Sequence, residues 1–291
     1  MIILGQMQTL FVCKSTENGV YLESRSGNDE VFSEDTAVLK EDKVLLPRNQ
    51  VPKDCKHGDA IRVFIYKDSE DRAIATTTVP PLTLGETALL TVKEVSQIGA
   101  FLDWGLAKDL LLPFKEQTVK VKQGESVLVA LYIDKSSRLC ATMHVYEYLG
   151  GNAPYQKDDR VEGIVYETIE EFGTYVAVDN IYSAMIPRRE VVNILRPGTR
   201  VNARVTNVLP DGRLELSLRE KAYLQMDTDS AHIMELLKEA GGFLPYHDKS
   251  NPEAIKAKFG LTKNAFKRAI GHLYKSGLLT IEETGIRQTE K

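Results

Sequence analysis

Cysteine is scarce in this sequence, and the few cysteines follow no metal-binding or disulfide pattern. Among the 291 residues, Cys13, Cys55 and Cys140 are widely spaced and form no CxxC pair. A disulfide framework uses paired cysteines, and a structural zinc site uses closely spaced ligands. The sequence therefore predicts neither of these, and isolated thiols are typical of a protein from a reducing cytoplasm.

Long apolar runs and a strong charge imbalance are also missing. Residues 1–10 show no signal-peptide pattern, and no stretch approaches the ~18 apolar residues that a membrane span needs. The 37 basic and 41 acidic residues leave a net charge of -4, which excludes a uniformly basic nucleic-acid coat. We therefore expect a soluble, cytoplasmic protein without membrane contact, whose nucleic-acid surfaces are local patches.

The signatures of the common enzyme classes are absent as well. The sequence contains no P-loop, HExxH, GxSxG or Rossmann glycine cluster. Its five histidines are scattered without ligand spacing, and no carboxylates converge as a metal-dependent nuclease requires. The sequence therefore predicts a non-enzymatic protein with no catalytic residue, metal, cofactor or small-molecule ligand.

What the chain does contain is an internal repeat. Four landmarks recur at one offset of 74 positions (173 − 99 and 198 − 124). They are Gly99, Phe101, Pro113 and Gly124, which return as Gly173, Tyr175, Pro187 and Gly198. A shared offset at four positions indicates two copies of one small unit.

Each copy has the pattern of five short strands. They are expected at residues 88–95, 99–104, 109–113, 126–132 and 139–142, and again at 161–167, 173–178, 184–187, 199–208 and 214–218. Five strands within about sixty residues are typical of an OB-type barrel. The first part of the chain is a looser copy, in which Tyr21 matches Phe101. Its landmark glycines Gly19 and Gly58 are 39 residues apart (58 − 19) instead of 25 (124 − 99), so an insertion is expected within residues 29–56.

From residue 228 onward the pattern becomes helical. Asp229 or Ser230 is predicted to cap a helix over 231–240, Pro252 to open a second through 258, and Thr262 to cap a third through 274. A short helix over 219–226 is expected to lead into this region. Two brief strands follow at 278–282 and 286–288, which completes the pattern of a winged helix.

The predicted fold is therefore mainly β with an α+β C-terminal domain. Three tandem OB-type five-stranded barrels are expected over residues 1–79, 82–147 and 157–220, with a winged-helix domain over 228–291. Linkers rich in proline or glycine separate the barrels at 79–82 and 150–154.

One aromatic residue stands at the same place in each barrel, two positions after a glycine. Tyr21, Phe101 and Tyr175 are expected on the outer face there, and Phe172 extends the third of these platforms. An exposed ring stacks on a nucleic-acid base with ~1–3 kcal/mol, whatever the base. The alternative is that these rings belong to the barrel cores.

An acidic and a basic residue recur between the last two strands. Asp134 and Arg138 repeat the spacing of Asp68 and Arg72, whereas the third unit keeps Arg213 without the acid. Such a pair holds the loop and presents a guanidinium to a phosphate or a base edge. The alternative is a surface salt bridge of little consequence.

The winged helix carries the clearest charge signal. No acid occurs between Glu253 and Glu282, and six basic residues do: Lys256, Lys258, Lys263, Lys267, Arg268 and Lys275. Lys263, Lys267 and Arg268 share one face of the third helix, and the apolar residues Ala265, Phe266, Ile270 and Leu273 lie opposite. A basic face of this kind is typical of an element that faces a phosphate backbone. The alternative is an ordinary solvated face.

These motifs resemble ribosomal protein S1-type RNA-binding domains. The ending Gly212-Arg213-Leu214-Glu215-Leu216-Ser217 fits that family closely, and residues 137–142 fit it loosely. The resemblance implies an RNA face made by two rings, a histidine, and an Asp and Arg near the last strand. By position these are Phe172, Tyr175 and Arg213 in one unit and Phe101, Asp134 and Arg138 in the other, while Pro113 and Pro187 replace the histidine.

The whole chain is similar to the bacterial conserved virulence factor B family. That resemblance implies RNA binding and post-transcriptional control of gene expression, including virulence genes in some bacteria. The favoured function is single-stranded RNA binding by the barrels, with the basic winged helix as an electrostatic anchor that also suits duplex nucleic acid. Two alternatives are a DNA-binding transcriptional regulator led by the winged helix and a protein scaffold on the ribosome or polymerase.

Overall fold

The computed structural model describes residues 1–25, 38–191, 195–219 and 222–289, without the side chains of 222–227. The chain divides into two compact units, Met1–Leu218 and Arg219–Lys291. Each unit has its own buried apolar clusters and is described by itself.

The first unit contains three five-stranded barrels in sequence. The first consists of β1 (Met7–Thr16), β2 (Gly19–Glu23), β3 (Lys43–Pro47), β4 (Ala60–Lys67) and β5 (Ala73–Thr76). The second consists of β6 (Thr87–Val95), β7 (Gly99–Asp103), β8 (Leu110–Pro113), β9 (Ser126–Ile133) and β10 (Leu139–Thr142). The third consists of β11 (Arg160–Ile169), β12 (Gly173–Val178), β13 (Tyr182–Pro187), β14 (Arg200–Val208) and β15 (Leu214–Ser217).

The three barrels share one topology. The first and third are closed in the order β1-β2-β3-β5-β4 and β11-β12-β13-β15-β14, and the second is a sheet in the equivalent order, β10-β9-β6-β7-β8. The first strand of each barrel shifts register at the same place, between Val12 and Lys14, Val92 and Glu94, and Val165 and Glu167. Such bulges bend a strand sharply, which lets a small sheet curl toward closure.

The fold class predicted from the repeat is confirmed, including a barrel in the looser first unit. The predicted strands lie within a few residues of the observed ones, because alternation of inward and outward residues is a local signal. A short 3₁₀ turn follows the third strand of each barrel, at Arg48–Gln50, Phe114–Glu116 and Arg188–Glu190. Of the insertion expected in the first barrel, residues 29–37 lie outside the described part of the chain.

The barrels pack on one another through buried apolar side chains. Between the first and second, Phe64 meets Trp104 edge to face with ring centroids 5.8 Å apart. Between the second and third, β9 and β11 meet in a buried apolar cluster: Leu128, Ala130, Val145, Ile164, Tyr166 and Ala177. Because of these buried contacts, the three barrels form one compact unit instead of independent domains.

The second unit has the element order of a winged helix. It comprises α1 (Ala222–Glu239), β16 (Phe243–Leu244), α2 (Pro252–Phe259), α3 (Lys263–Lys275), β17 (Leu279–Glu282) and β18 (Gly285–Gln288). The side chain of Asn251 caps α2 by accepting from the Glu253 amide at 2.8 Å, and the Thr262 hydroxyl caps α3 by accepting from the Ala265 amide at 3.3 Å. The three strands form one sheet in the order β16-β18-β17.

One helix boundary was predicted wrongly. The expected break between 219–226 and a helix capped by Asp229 or Ser230 does not exist, since α1 runs unbroken from Ala222 to Glu239. Asp229 and Ser230 lie inside that helix and are only 4% and 5% exposed. Ser230 approaches the Ala269 carbonyl of α3 at 3.5 Å, so residues that favour caps serve here in helix packing.

Within the residues that the structure describes, we find no helix with the length and apolar character needed to cross a membrane.

Candidate nucleic-acid interface

The repeated aromatic residue faces outward in all three barrels. Tyr21, Phe101 and Tyr175 are each half-buried, while the next residue along each strand, Leu22, Leu102 and Val176, is fully buried in a barrel core. Because side chains alternate along a strand, the inward neighbour fixes the ring on the outer face. The rings therefore lie where stacking is possible, as predicted, and their role in binding stays a prediction.

The third barrel adds a ring that is far more accessible. Phe172, in the turn before β12, is 59% exposed. Tyr175 is different, because its ring lies 6.1 Å from that of Tyr166 and packs against the apolar cluster between the second and third barrels. Phe172 thus offers more free surface to a base than Tyr175 does.

A glycine in each barrel brings two loop residues side by side. Gly19, Gly99 and Gly173 begin the second strands with φ values of 144°, 153° and 141°, a region that favours glycine. A Cβ on Gly173 would overlap the carbonyl oxygen of Ile186, and the other two glycines meet the third strand in the same way. The close approach of the two strands therefore depends on glycine.

The result is a corner formed by the residue before the glycine and the residue after the third-strand proline. The backbone N–H of the residue after the proline donates to the carbonyl of the residue before the glycine. The distance is 3.0 Å in the first barrel, 3.4 Å in the second and 3.0 Å in the third. We call each pair a glycine–proline corner; the three pairs are Asn18 with Arg48, Ile98 with Phe114, and Phe172 with Arg188. The sequence repeat marks the prolines of the second and third barrels but carries no signal for the residues that follow them.

The acidic residue of the fourth-strand loop holds that loop together. In the first barrel, Asp68 accepts from the backbone amides of Glu70 and Arg72, and its other oxygen takes two bonds from the Arg72 guanidinium at 2.9 and 2.8 Å. In the second barrel, Asp134 accepts from the amides of Ser136 and Arg138 at 2.8 and 3.0 Å. In both barrels the acidic residue therefore holds the loop, which is the first part of the role predicted for the pair.

The guanidinium of Arg138 is ion-paired with a residue of the first barrel, and its contact with a phosphate stays a prediction. Its Nη2 lies 2.5 Å from Oδ2 of Asp71 in the first barrel, and Lys108 also reaches Asp71, at 3.2 Å. The hydrogen bond from Lys108, followed by its charge and that of Arg138, lowers the pKa of Asp71. Arg138 thus joins two barrels, which the spacing of Asp134 and Arg138 did not indicate.

Arg213 is engaged in a similar way in the third barrel. Its Nε donates to Asp211 at 2.7 Å and its Nη1 to the Tyr146 hydroxyl at 3.0 Å. The bond to Asp211, ahead of the charge of that residue, raises the pKa of Arg213. Asp211 was missed in the sequence because it stands two residues before the arginine, where the other barrels have the acid four residues before it.

The basic face of the winged helix is open to solvent. Lys267, Arg268 and Lys275 of α3 are exposed and Lys263 is half-buried. The opposite face of α3 is buried and is made of Phe266, Ala269, Ile270 and Leu273. Lys256 and Lys258 are exposed on the neighbouring α2. Ala265, expected on the apolar face, is only half-buried.

The histidine, cysteine and acidic side chains do not gather into a metal-binding group in the described part of the chain, where no three of them converge. The three cysteines are free thiols there. Burial, followed by the charge of Asp134, raises the pKa of the Cys140 thiol to about 11, so this thiol is protonated and inert near neutral pH.

Comparison with known families agrees with this domain order. The S1 domain matches residues 4–78 and 84–144, and the second domain of the virulence regulatory factor CvfB matches residues 149–220. The CvfB-like winged helix domain matches residues 231–287. Each of the three barrels and the winged helix is thus matched by a known domain family.

Several whole proteins are similar to this chain. Conserved virulence factor B of Staphylococcus aureus strain USA300 is 31% identical over 80% of this chain and 81% of its own length. The protein of the same name from Staphylococcus saprophyticus is 29% identical over 99% of this chain and 95% of its own. An uncharacterized Bacillus subtilis protein, YitL, is 29% identical over 94% and 89%.

A solved structure shares the fold along nearly the whole chain. It is a crystal structure of a multidomain protein with nucleic acid binding domains from Streptococcus pneumoniae TIGR4. It covers 98% of each chain with a TM-score of 0.52 and 23% sequence identity. At that identity the likeness concerns the fold alone.

Proposed function

The chain belongs to the conserved virulence factor B family, and on this basis we propose that it binds single-stranded RNA and regulates gene expression after transcription. Its S1 domains, winged helix and family membership make it a nucleic-acid-binding regulatory protein. The proposal adds that the ligand is single-stranded RNA, that the barrels bind it by stacking, and that the protein is not an enzyme.

The observation that carries the proposal is the outward ring repeated in three barrels. Tyr21, Phe101 and Tyr175 stand at equivalent places on the second strands, and Phe172 adds a ring that is 59% exposed. Stacking on such a ring stabilises a bound base by ~1–3 kcal/mol and requires an unpaired base. A duplex hides the faces of its bases, so this surface favours a single strand.

The array of barrels supports the same conclusion. Their packed contacts hold three modest sites in one compact unit, so binding at one site raises the effective concentration of the strand at the next. With a formal net charge of -4, the chain gains little from general electrostatic attraction. Several stacking contacts along one strand are therefore the more effective source of affinity.

The winged helix fits the role of an electrostatic anchor. Its third helix exposes Lys267, Arg268 and Lys275, and the stretch from 254 to 281 contains no acid to compete with a phosphate. Contacts of this kind release counterions and make binding sensitive to salt. They carry no information about sequence, which suits a protein that binds different transcripts.

A second candidate is duplex DNA binding through the same helix. An exposed basic helix face in a winged helix is typical of an element that enters the major groove. Asn264 is the one amide side chain of α3, so amide readout of a base edge is limited there, and duplex binding would depend mainly on cations that contact phosphates or guanine edges. In this case the barrels would serve as protein-binding modules.

Hydrogen exchange on the full chain separates the two candidates. A 12-nucleotide single-stranded RNA and a duplex DNA of the same length are each added at saturating concentration. We expect the RNA to slow exchange in β7, β8, β12 and β13, which form the outer faces with the rings. Protection by both ligands confined to α3 would instead assign binding to the winged helix and reject the stacking barrels.

A further inference from the structure

We propose that the guanidinium of Arg188 binds an RNA phosphate beside a base stacked on Phe172. The glycine–proline corner is then the main RNA contact of the third barrel. The inference rests on the proposed function and specifies which residues carry it. Arg188 belongs to none of the motifs that the sequence shares with S1-type domains.

The geometry of the corner carries the first step. The backbone N–H of Arg188 donates to the carbonyl of Phe172 at 3.0 Å, and both side chains are exposed. Gly173 pairs with Pro187 across β12 and β13, and only a glycine fits there, which fixes the two neighbours side by side. A flat apolar ring and a cation at one corner match the two parts of a nucleotide, its base and its phosphate.

The second step is that Arg188 is free to take a phosphate and Arg213 is not. The Arg188 guanidinium makes one long contact, 3.5 Å, to the Val191 carbonyl, and no carboxylate among the described residues pairs with it. Arg213 already holds Asp211 and Tyr146. A phosphate at Arg213 would compete with a carboxylate for the guanidinium, whereas at Arg188 it meets no such competitor among the described residues.

The carboxylates near the corner support this assignment. Glu190, two residues after Arg188, accepts a hydrogen bond from the Ser217 hydroxyl at 2.8 Å. Glu170 and Glu171 precede Phe172 and are exposed, so they oppose any phosphate that passes the turn. The charge of Arg188 offsets that repulsion at the point where the strand must approach Phe172.

The three corners are chemically different, which predicts unequal barrels. The first pairs Asn18 with Arg48 and offers a cation without a ring, and the second pairs Ile98 with Phe114 and offers apolar surface without a cation. Ile98 and Phe114 are 60% and 50% exposed. The third corner alone of these combines a ring and a cation, so the third barrel is expected to dominate.

The test is a titration of the full chain with a fluorescent ten-nucleotide oligouridine at several salt concentrations. Arg188→Ala is expected to weaken binding about tenfold at low salt and to reduce the salt slope by about 0.7, the value for one phosphate of a single strand. Arg188→Lys should retain the slope. Arg200→Ala is the matched control, since Arg200 is an exposed arginine on β14 of the same barrel.

Two further variants keep the outcomes distinct. Phe172→Ala should weaken binding about fivefold or more without changing the slope, and Glu171→Gln should strengthen it. If Phe172→Ala weakens binding but Arg188→Ala behaves like Arg200→Ala, the phosphate assignment is wrong and the proposed function stands. If the wild-type protein does not bind oligouridine at all, the proposed function itself fails.

Discussion

Nη2 of Arg138 lies 2.5 Å from Oδ2 of Asp71, which joins the fourth-strand loops of the first and second barrels. Lys108 strengthens this junction by donating to the Asp68 carbonyl at 2.7 Å. The equivalent arginine of the third barrel, Arg213, reaches back to Tyr146 in the segment before that barrel. A position expected to face RNA in S1-type domains thus serves contacts between neighbouring modules here.

Asp71 and Arg138 should be energetically coupled. In a double-mutant cycle with Asp71→Asn and Arg138→Gln, the coupling measured by denaturant unfolding is expected to be small but measurable, about 0.5 kcal/mol, because both side chains are partly exposed and screened. Arg62→Gln, at an exposed arginine of β4, is the control and should show no coupling to Asp71→Asn. Strict additivity of the first pair would contradict the contact.

The same junction should weaken in acid. Because the hydrogen bond from Lys108 and the nearby cations lower the pKa of Asp71, the ionised carboxylate contributes stability above its ordinary pKa of about 3.9. That contribution is lost as the pH falls through the lowered pKa of the folded state. Thermal unfolding should therefore show a difference between wild type and Asp71→Asn at about pH 6 that narrows only below the ordinary aspartate pKa of about 3.9 and closes below the lowered pKa of the folded state. A difference that persists at the lowest pH would have another cause.

Gly173 should tolerate no side chain. Gly173→Ala places a methyl group against the Ile186 carbonyl in a backbone region that favours glycine, and is expected to destabilise the barrel by about 2 kcal/mol or more. Gly105 has a positive φ of 79°, but no atom lies within 4 Å of the place that its Cβ would occupy. Gly105→Ala should therefore cost only about 1 kcal/mol, from the backbone conformation alone. Equal losses in denaturant unfolding would mean that the close approach is not what demands glycine.

The repeat predicted the barrels well because its signals are local. The strand expected at residues 126–132 is observed as Ser126–Ile133, and the outward position of Phe101 follows from alternation alone. The partner of Arg138 could not be predicted, since Asp71 lies in another repeat and meets it only when the two barrels pack. Asp229 misled the helix prediction because its cap-forming chemistry is local, while its burial inside α1 depends on tertiary packing.

Removing charge from α3 should reduce the salt dependence of RNA binding more than it reduces the affinity at high salt. Lys267→Ala with Arg268→Ala removes two exposed cations, and the slope of log affinity against log salt for single-stranded RNA should fall by about 1.4 if both contact phosphates. Lys120→Ala with Lys122→Ala removes two exposed cations from the second barrel and serves as the control. An unchanged slope in the α3 variant would show that the winged helix takes no part in binding this ligand.

Binding of single-stranded RNA by base stacking on the barrels is tested most directly by a fluorescence-anisotropy titration. The full chain is titrated against single-stranded RNA and duplex DNA of equal length at two salt concentrations, alongside the variant with Phe101→Ala, Phe172→Ala and Tyr175→Ala. We expect a clear preference for the single strand that survives at the higher salt and is reduced in the variant. Preference for the duplex, or equal binding by the folded variant, would contradict stacking on the barrels.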